Sequence, residues 1–187
     1  SLAGSHFQRH EDKILNGYGK QRINNNEAKL DWILNDAHSL SFKGGVTTTD
    51  NLRTERSSGS ANGSDMNNRR NHYGVTHDWK WATRNQTTTY LTHEDVSIGN
   101  GAYESKYQGT IANTKTLIPL DQHMITVGAE YKYEKTLHDA SRFPGSKSLN
   151  LSRWQAAVFA EDEFSLTDDF IVTGGLRYDK NQHYGTH

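Results

Sequence analysis

WQAAVFAEDEFSLTDDFIVTGGLRYDKNQHYGTH, Trp154 to His187, decides the fold of this chain. It reads as one long β-hairpin, two alternating segments around a tight polar turn at Ser165 to Asp169. In the second segment Phe170, Val172, Gly174, Leu176 and Tyr178 fall on one face. Ile171, Thr173, Gly175, Arg177 and Asp179 fall on the other. An apolar, aromatic face opposite a Thr, Gly, Arg, Asp face suits the wall of a membrane barrel, with lipid on one side and a wet lumen on the other.

Upstream the same grammar repeats. Ile125, Val127, Ala129, Tyr131 and Tyr133 oppose Thr126, Gly128, Glu130, Lys132 and Glu134, a period of two. Earlier runs are expected near Leu2 to Asp12, Arg22 to Leu34, Ser39 to Arg56, around Tyr73 to Trp81, Gln86 to Ser97, and Tyr103 to Ile118. With the closing hairpin this predicts an all-β antiparallel up-and-down meander of about nine long strands, many exceeding the roughly 9–11 residues that cross a bilayer. Short turns follow the second, fourth, sixth and eighth runs, at Asn35 to His38, Arg84-Asn85, Pro119 to Asp121 and Ser165 to Asp169. Longer loops follow the first, third, fifth and seventh. Outer-membrane barrels alternate short periplasmic turns with long outer loops in this way, which a soluble sandwich does not require. The longest loop, Ser57 to Arg70, is polar except for Met66 and is expected to be mobile.

Composition agrees. Only 33% of the 187 residues are hydrophobic and the mean hydropathy is -0.89, a thin supply for a soluble core. The net charge of -1 gives no basic field for nucleic acid. Cysteine is absent, which removes disulfides, thiolate metal sites and a cysteine nucleophile. No apolar run approaches the roughly 20 residues of a spanning helix, and no signal peptide opens the chain. SLAGSHFQRHED begins as if inside a strand and HYGTH stops without a cap, so residues 1–187 are expected to be an internal barrel piece, without plug domain or terminal strand.

The closing hairpin resembles TonB-dependent outer-membrane receptors, nearest to the colicin I receptor group. The resemblance rests on Phe159 to Phe164 (FAEDEF), Thr173 to Asp179 (TGGLRYD) and Tyr184 to His187 (YGTH), with Thr116 to Tyr131 as the preceding hairpin. It is strong over Gly109 to His187 and pattern-level over Ser1 to Gln108. It implies a barrel of roughly 22 strands around a plug in the outer membrane of a Gram-negative bacterium. It also implies uptake of a ferric siderophore of the catecholate class, energised by TonB–ExbB–ExbD through the plug. Lipopolysaccharide, and a bacteriocin or phage using the receptor for entry, are further implied partners. The competing reading is a soluble all-β binding module, such as a surface adhesin or carbohydrate-binding domain.

Candidate sites weigh unevenly. Arg53, Arg56, Arg69 and Arg70 flank or lie in the longest loop and are candidate outer contacts for an anionic ferric complex. A plain solvated loop, or contact with lipopolysaccharide phosphates, is the simpler reading. His6 and His10, like His183 and His187, are spaced about 13 Å apart along a strand. No cysteine or acidic cluster completes a metal site, and no metal or cofactor is expected. Glu161 and Glu163 share a face and are read as partners of Arg177 or another lumen cation, not as paired catalytic acids; no constellation supports an enzyme. Trp79, Trp81, Tyr131, Tyr133 and Tyr178 are candidates for interfacial aromatic girdles. The glycine pairs around Tyr18 and Asn100 lack the strand-to-helix setting of a phosphate loop.

Overall fold

The structure is a computed structural model that describes residues 1–10, 20–52, 66–99, 104–139, 147–167, 169–182 and 185–186. One antiparallel sheet contains all the strands: β1 (Leu2–Arg9), β2 (Lys20–Ile33), β3 (His38–Leu52), β4 (Met66–Lys80), β5 (Gln86–Gly99), β6 (Glu104–Leu120), β7 (His123–Asp139), β8 (Leu149–Thr167), β9 (Phe170–Asn181) and β10 (Gly185–Thr186). Their spatial order is their chain order, the up-and-down meander expected from the alternation. The two-residue β10, paired with the end of β9, is an addition to the nine expected strands.

Two strand starts lie well ahead of the sequence reading, and other boundaries shift by a few residues. The fourth strand starts at Met66, so Arg69 and Arg70 lie in β4 and not in a loop. The eighth starts at Leu149. In the β4 extension polar residues occupy both faces beyond Met66, so no hydrophobic period marks it, whereas the β8 extension alternates weakly, with Leu149 and Leu151 on one side. Arg53, Arg56 and the first part of the expected mobile loop lie outside the described residues, as do His183, His187 and the glycine pair around Tyr18.

The short turns are chemically specified. Asn35 Oδ1 accepts the backbone N–H groups of Ala37 and His38, each at 2.9 Å, an Asx turn that reverses the chain into β3. Between β6 and β7 the reversal takes only Asp121 and Gln122, and Asp121 adopts a φ of 52°, which Asp tolerates better than most residues. Pro119 sits in β6 opposite Met124, beside the turn, where a strand tolerates proline.

The turns are staggered. Gln86 at the start of β5 pairs with Leu117, so Ile118, Pro119 and Leu120 run on past β5. His123 pairs with Phe164, so Ser165 to Thr167 run on past β7. A regular offset of this kind is the shear that lets a sheet close into a barrel with tilted strands.

The sheet has no interior. Among the described residues only Ala157 is a buried hydrophobic, at 5% exposure, while Leu176 is 84% exposed. Direct cross-strand partners share a face, and the registers carry one parity through the whole sheet. On one face stand Leu30, Phe42, Tyr73, Val75, Leu91, Val127, Tyr131, Val158, Val172 and Leu176. The other face is mainly polar, with exposed exceptions at Phe7, Ile33, Leu149, Leu151 and Ile171 toward strand ends. The first face is the outward, lipid side of a wall, and the second is the lumen side. Threonines on the outward side pair with each other, Thr87 with Thr116 and Thr89 with Thr114, both at 2.9 Å between hydroxyls. That removes a desolvation cost that unpaired hydroxyls would carry in hydrocarbon.

Girdle candidates separate into two rims. Trp79 and Trp81, 6.4 Å apart, sit at the short-turn end; Tyr131, Tyr133 and Tyr178 sit toward the opposite end of their strands.

Glycine matters most at Gly128. The Phe159 ring, its cross-strand partner, lies over it. A Cβ there would meet Phe159 Cζ at 2.4 Å and the Thr114 carbonyl oxygen at 2.6 Å, whereas one at Gly174 would meet nothing within 4 Å. We therefore expect Gly128→Ala to destabilise the sheet by roughly 1–3 kcal/mol through overpacking, and Gly174→Ala to leave it unchanged. Urea unfolding followed by tryptophan fluorescence checks both.

Candidate functional site

The lumen face carries the charged chemistry in cross-strand rows. Glu134 anchors the densest cluster. It accepts the Tyr107 hydroxyl at 2.9 Å, pairs with Lys132 at 3.0 Å and takes the Nε–H of Arg153. Its side chain is only 14% exposed, so two cations and a phenol satisfy a largely sheltered carboxylate. Nearer the short turns, Arg177 donates to Asp179 through Nε and to Glu130 through Nη2, at 3.0 Å in each case. Its guanidinium also lies 5.9 Å from the centre of the Phe159 ring, within cation–π range. Asn113 reaches Glu130 at 3.3 Å and Gln155 reaches Asp179 at 3.0 Å, closing a network over four strands.

The expected pairing of Arg177 with Glu161 or Glu163 is corrected here. Glu161 stands opposite Gly175 and Glu163 opposite Thr173, while Phe159 stands opposite Arg177. Arg177 reaches Glu130, two strands away on β7, instead. Asp162 points to the outward face and meets His123 at 2.7 Å, with the His123 ring stacked on Phe164.

Across the middle of the strands, β2 to β7 form a lumen-side concavity of about 780 Å³, lined among others by Lys29, Lys43, Arg70, His72, Tyr107 and Lys132. Glu27 and Glu94 line it too. Glu94 accepts from Arg70 Nε at 2.7 Å, and Glu27 lies 3.7 Å from His72. Lys29 and Lys43 are direct cross-strand neighbours. Lys29 meets Asp31 at 3.0 Å, but Lys43 makes no ion pair among the described residues. Like charges placed opposite each other disfavour the sheet, and here only Lys29 has a carboxylate partner to offset that.

The two described arginine candidates part company. Arg70 pairs with Thr47 and Val96 and faces the lumen; Arg69 pairs with Thr48 and Ser97 and faces outward. Sequence reasoning passed over Tyr107, Glu134 and Arg153, which meet only across strands. The signal available was the parity of Glu130, Lys132 and Glu134 on one side of β7. Of the histidine pair His6 and His10, His6 Nδ1 bonds Asn24 Oδ1 at 2.6 Å.

A protein-family model described as "TonB dependent receptor-like, beta-barrel" matches residues 5–187. The "Iron-regulated outer membrane virulence protein" of Vibrio cholerae serotype O1 is 32% identical over 191 aligned residues, which cover 98% of this chain and 29% of that protein. Among solved structures, the siderophore receptor PirA from Pseudomonas aeruginosa superposes with a TM-score of 0.74 at 17% identity, over 100% of this chain and 34% of that one. The ferric-catecholate import receptor Fiu from E. coli K12 gives 0.75 at 12% identity, over 96% and 40%. These 187 residues thus span about a third of the proteins they match.

The Glu134 cluster makes a stability prediction. Glu134→Ala leaves Arg153, Lys132 and the Tyr107 hydroxyl without their acceptor and should cost roughly 1–3 kcal/mol. Tyr107→Phe removes one hydrogen bond and should cost about 1 kcal/mol. Urea midpoints of the full-length variants measure the difference.

Proposed function

This chain belongs to the TonB-dependent receptor-like β-barrel family, and on that footing we propose that it is barrel wall of an outer-membrane receptor that binds and imports a ferric siderophore, most simply a ferric catecholate, with energy delivered through TonB. The family is one of receptors, not enzymes. Its outer-membrane barrel architecture removes the soluble-module reading.

The observation that carries the ligand class is the Lys29–Lys43 neighbour pair on the lumen face, with Arg70 farther toward the outer end. Three dianionic catecholates around Fe(III) leave a net trianion. Adjacent cations in a concave, partly apolar wall attract and hold such an anion. Fiu, similar to this sheet in fold, is by name a ferric-catecholate import receptor, which supports the same class. On this reading Arg70, with Arg53 and Arg56 in the connection between β3 and β4, supplies outer contacts for the ligand. Arg69 faces away from it. Energy coupling would pass from TonB, ExbB and ExbD to the plug that the family resemblance implies.

The test is ligand binding to the full-length receptor, followed by quenching of intrinsic fluorescence. A ferric tris-catecholate should bind, and the double variant Lys43→Ala/Arg70→Ala should weaken it about tenfold. Binding of heme, cobalamin or a ferric hydroxamate with no binding of the catecholate would overturn the ligand class.

A further inference from the structure

His72 makes a half-formed contact in the lumen concavity. Its Nδ1 is buried and has no hydrogen-bond partner among the described residues. Its Nε2 stands 3.7 Å from Glu27 Oε1, too far for a hydrogen bond. A glycine between them allows the approach. His72 pairs with Gly45 on β3, and Gly45 pairs with Glu27 on β2. With no side chain at Gly45 the imidazole lies across β3, where an added Cβ would come within 2.7 Å of its Cε1. Ring and carboxylate thus face each other over a bare strand, one lumen-facing row from Lys29 and Lys43.

The charged groups around this ring fall into pairs, with two left over. On β2, Lys29 meets Asp31 at 3.0 Å. On β5, Glu94 is the direct partner of His72, but it is held at 2.7 Å by Arg70 of β4. On β3, Lys43 has no ion pair among the described residues. Glu27 has no cation within ion-pair distance among them except this histidine. With His72 neutral, Glu27 is therefore an uncompensated carboxylate beside two lysines, and it opposes any anion that they attract.

A proton changes that balance. Histidine is the side chain whose charge ordinarily changes between about pH 5 and pH 8. Neutral imidazole has one N–H donor, and the imidazolium has two. The His72 and Glu27 side chains are 24% and 38% exposed, so lumen water reaches both. A proton taken from that water makes Nε2 a charged donor aimed at Glu27. A closure of about 1 Å then gives a charge-assisted pair. Glu27 is spent on His72, and the Lys43 ammonium becomes the surplus charge of the concavity.

We propose that His72 is a proton switch on the lumen concavity. Taking up a proton, it pairs with Glu27 across Gly45 and leaves Lys29 and Lys43 unopposed, so an anionic ligand binds more tightly as the pH falls from about 8 to about 6. The switch rests on the reading of this concavity as an anion site, and it does not depend on which class of anion binds there.

The test is isothermal titration calorimetry on the full-length receptor at about pH 8 and about pH 6, with two trianionic probes. One is a ferric tris-catecholate. The other is hexacyanoferrate(III), whose charge is constant over this range. Wild type should bind hexacyanoferrate(III) about fivefold more tightly at the lower pH, and His72→Gln should lose that response. Glu27→Gln should bind at the higher pH as tightly as wild type does at the lower, because the opposing carboxylate is gone. For the catecholate, the ligand's own protonation is common to all samples and cancels in the ratio of variant to wild type. Heat-modifiable migration reports assembly, and either variant decides the matter if the other does not assemble. Equal pH responses in wild type and His72→Gln, or no gain in Glu27→Gln at the higher pH, would overturn the switch and leave the anion site standing. A pH response toward hexacyanoferrate(III) with no binding of the catecholate would support the switch and remove the catecholate class. Binding of neither probe would overturn both.

Discussion

Parity of the hydrogen-bonded ladder is the constraint on which everything else depends. From β1 to β9 each strand pairs with the next in continuous antiparallel register, and the one shift lies between Ser165 and Thr167, beside the last turn. Side chains alternate with a period of two, so a slip of one residue anywhere would exchange the faces of every residue beyond it. Without a core, the sheet has only this sorting to keep Leu176 in lipid and Arg177 in the lumen. Bulky side chains reinforce the sorting. Phe159 fits over Gly128, and the ring of His72 lies over Gly45, where an added Cβ would come within 2.7 Å of it.

That constraint explains what was legible in the sequence and what was not. Where lipid faces one side, as from Ile125 to Tyr133, the alternation is visible and the strand and its faces are readable. Where the strands rise past the apolar band, as at Asn67 to Arg70, both faces are polar and the period vanishes. Arg69 and Arg70 therefore read as loop and as one cluster, although the ladder sends them to opposite sides. Charged partners were legible only when they shared a strand. The Arg177 to Glu130 contact depends on how β7, β8 and β9 are offset, and no local pattern encodes that offset. Neither does any local pattern reveal that Tyr107 and Arg153, on the strands flanking β7, converge on Glu134.

The two faces then do different work with the same cations. Inside, Lys29, Arg70, Lys132, Arg153 and Arg177 are taken up by Asp31, Glu94, Glu134, Glu130 and Asp179, while Glu27 meets His72, and these pairs hold the wall's polar lining in place. Lys43, directly across from Lys29, makes no ion pair among the described residues, and on the proposed reading these two lysines are where the lumen wall would meet an anion. Outside, the strand-borne lysines and arginines stand toward the long connections, together with Asp50, Asp95, Glu104 and Asp139. A sheet with mixed charge along its wet face and charge held to the edges of its dry face suits a membrane wall.

The central claim is that Ile125 to Tyr133 spans lipid with alternating exposure. Spin labels placed singly at residues 123–135 of the full-length receptor in membranes, with collision rates measured for oxygen and for a water-soluble nickel chelate, test it most directly. Oxygen accessibility should peak at Ile125, Val127, Ala129 and Tyr131, with nickel accessibility low at those positions. Uniform nickel accessibility along β7, or a period near 3.6, would contradict the account.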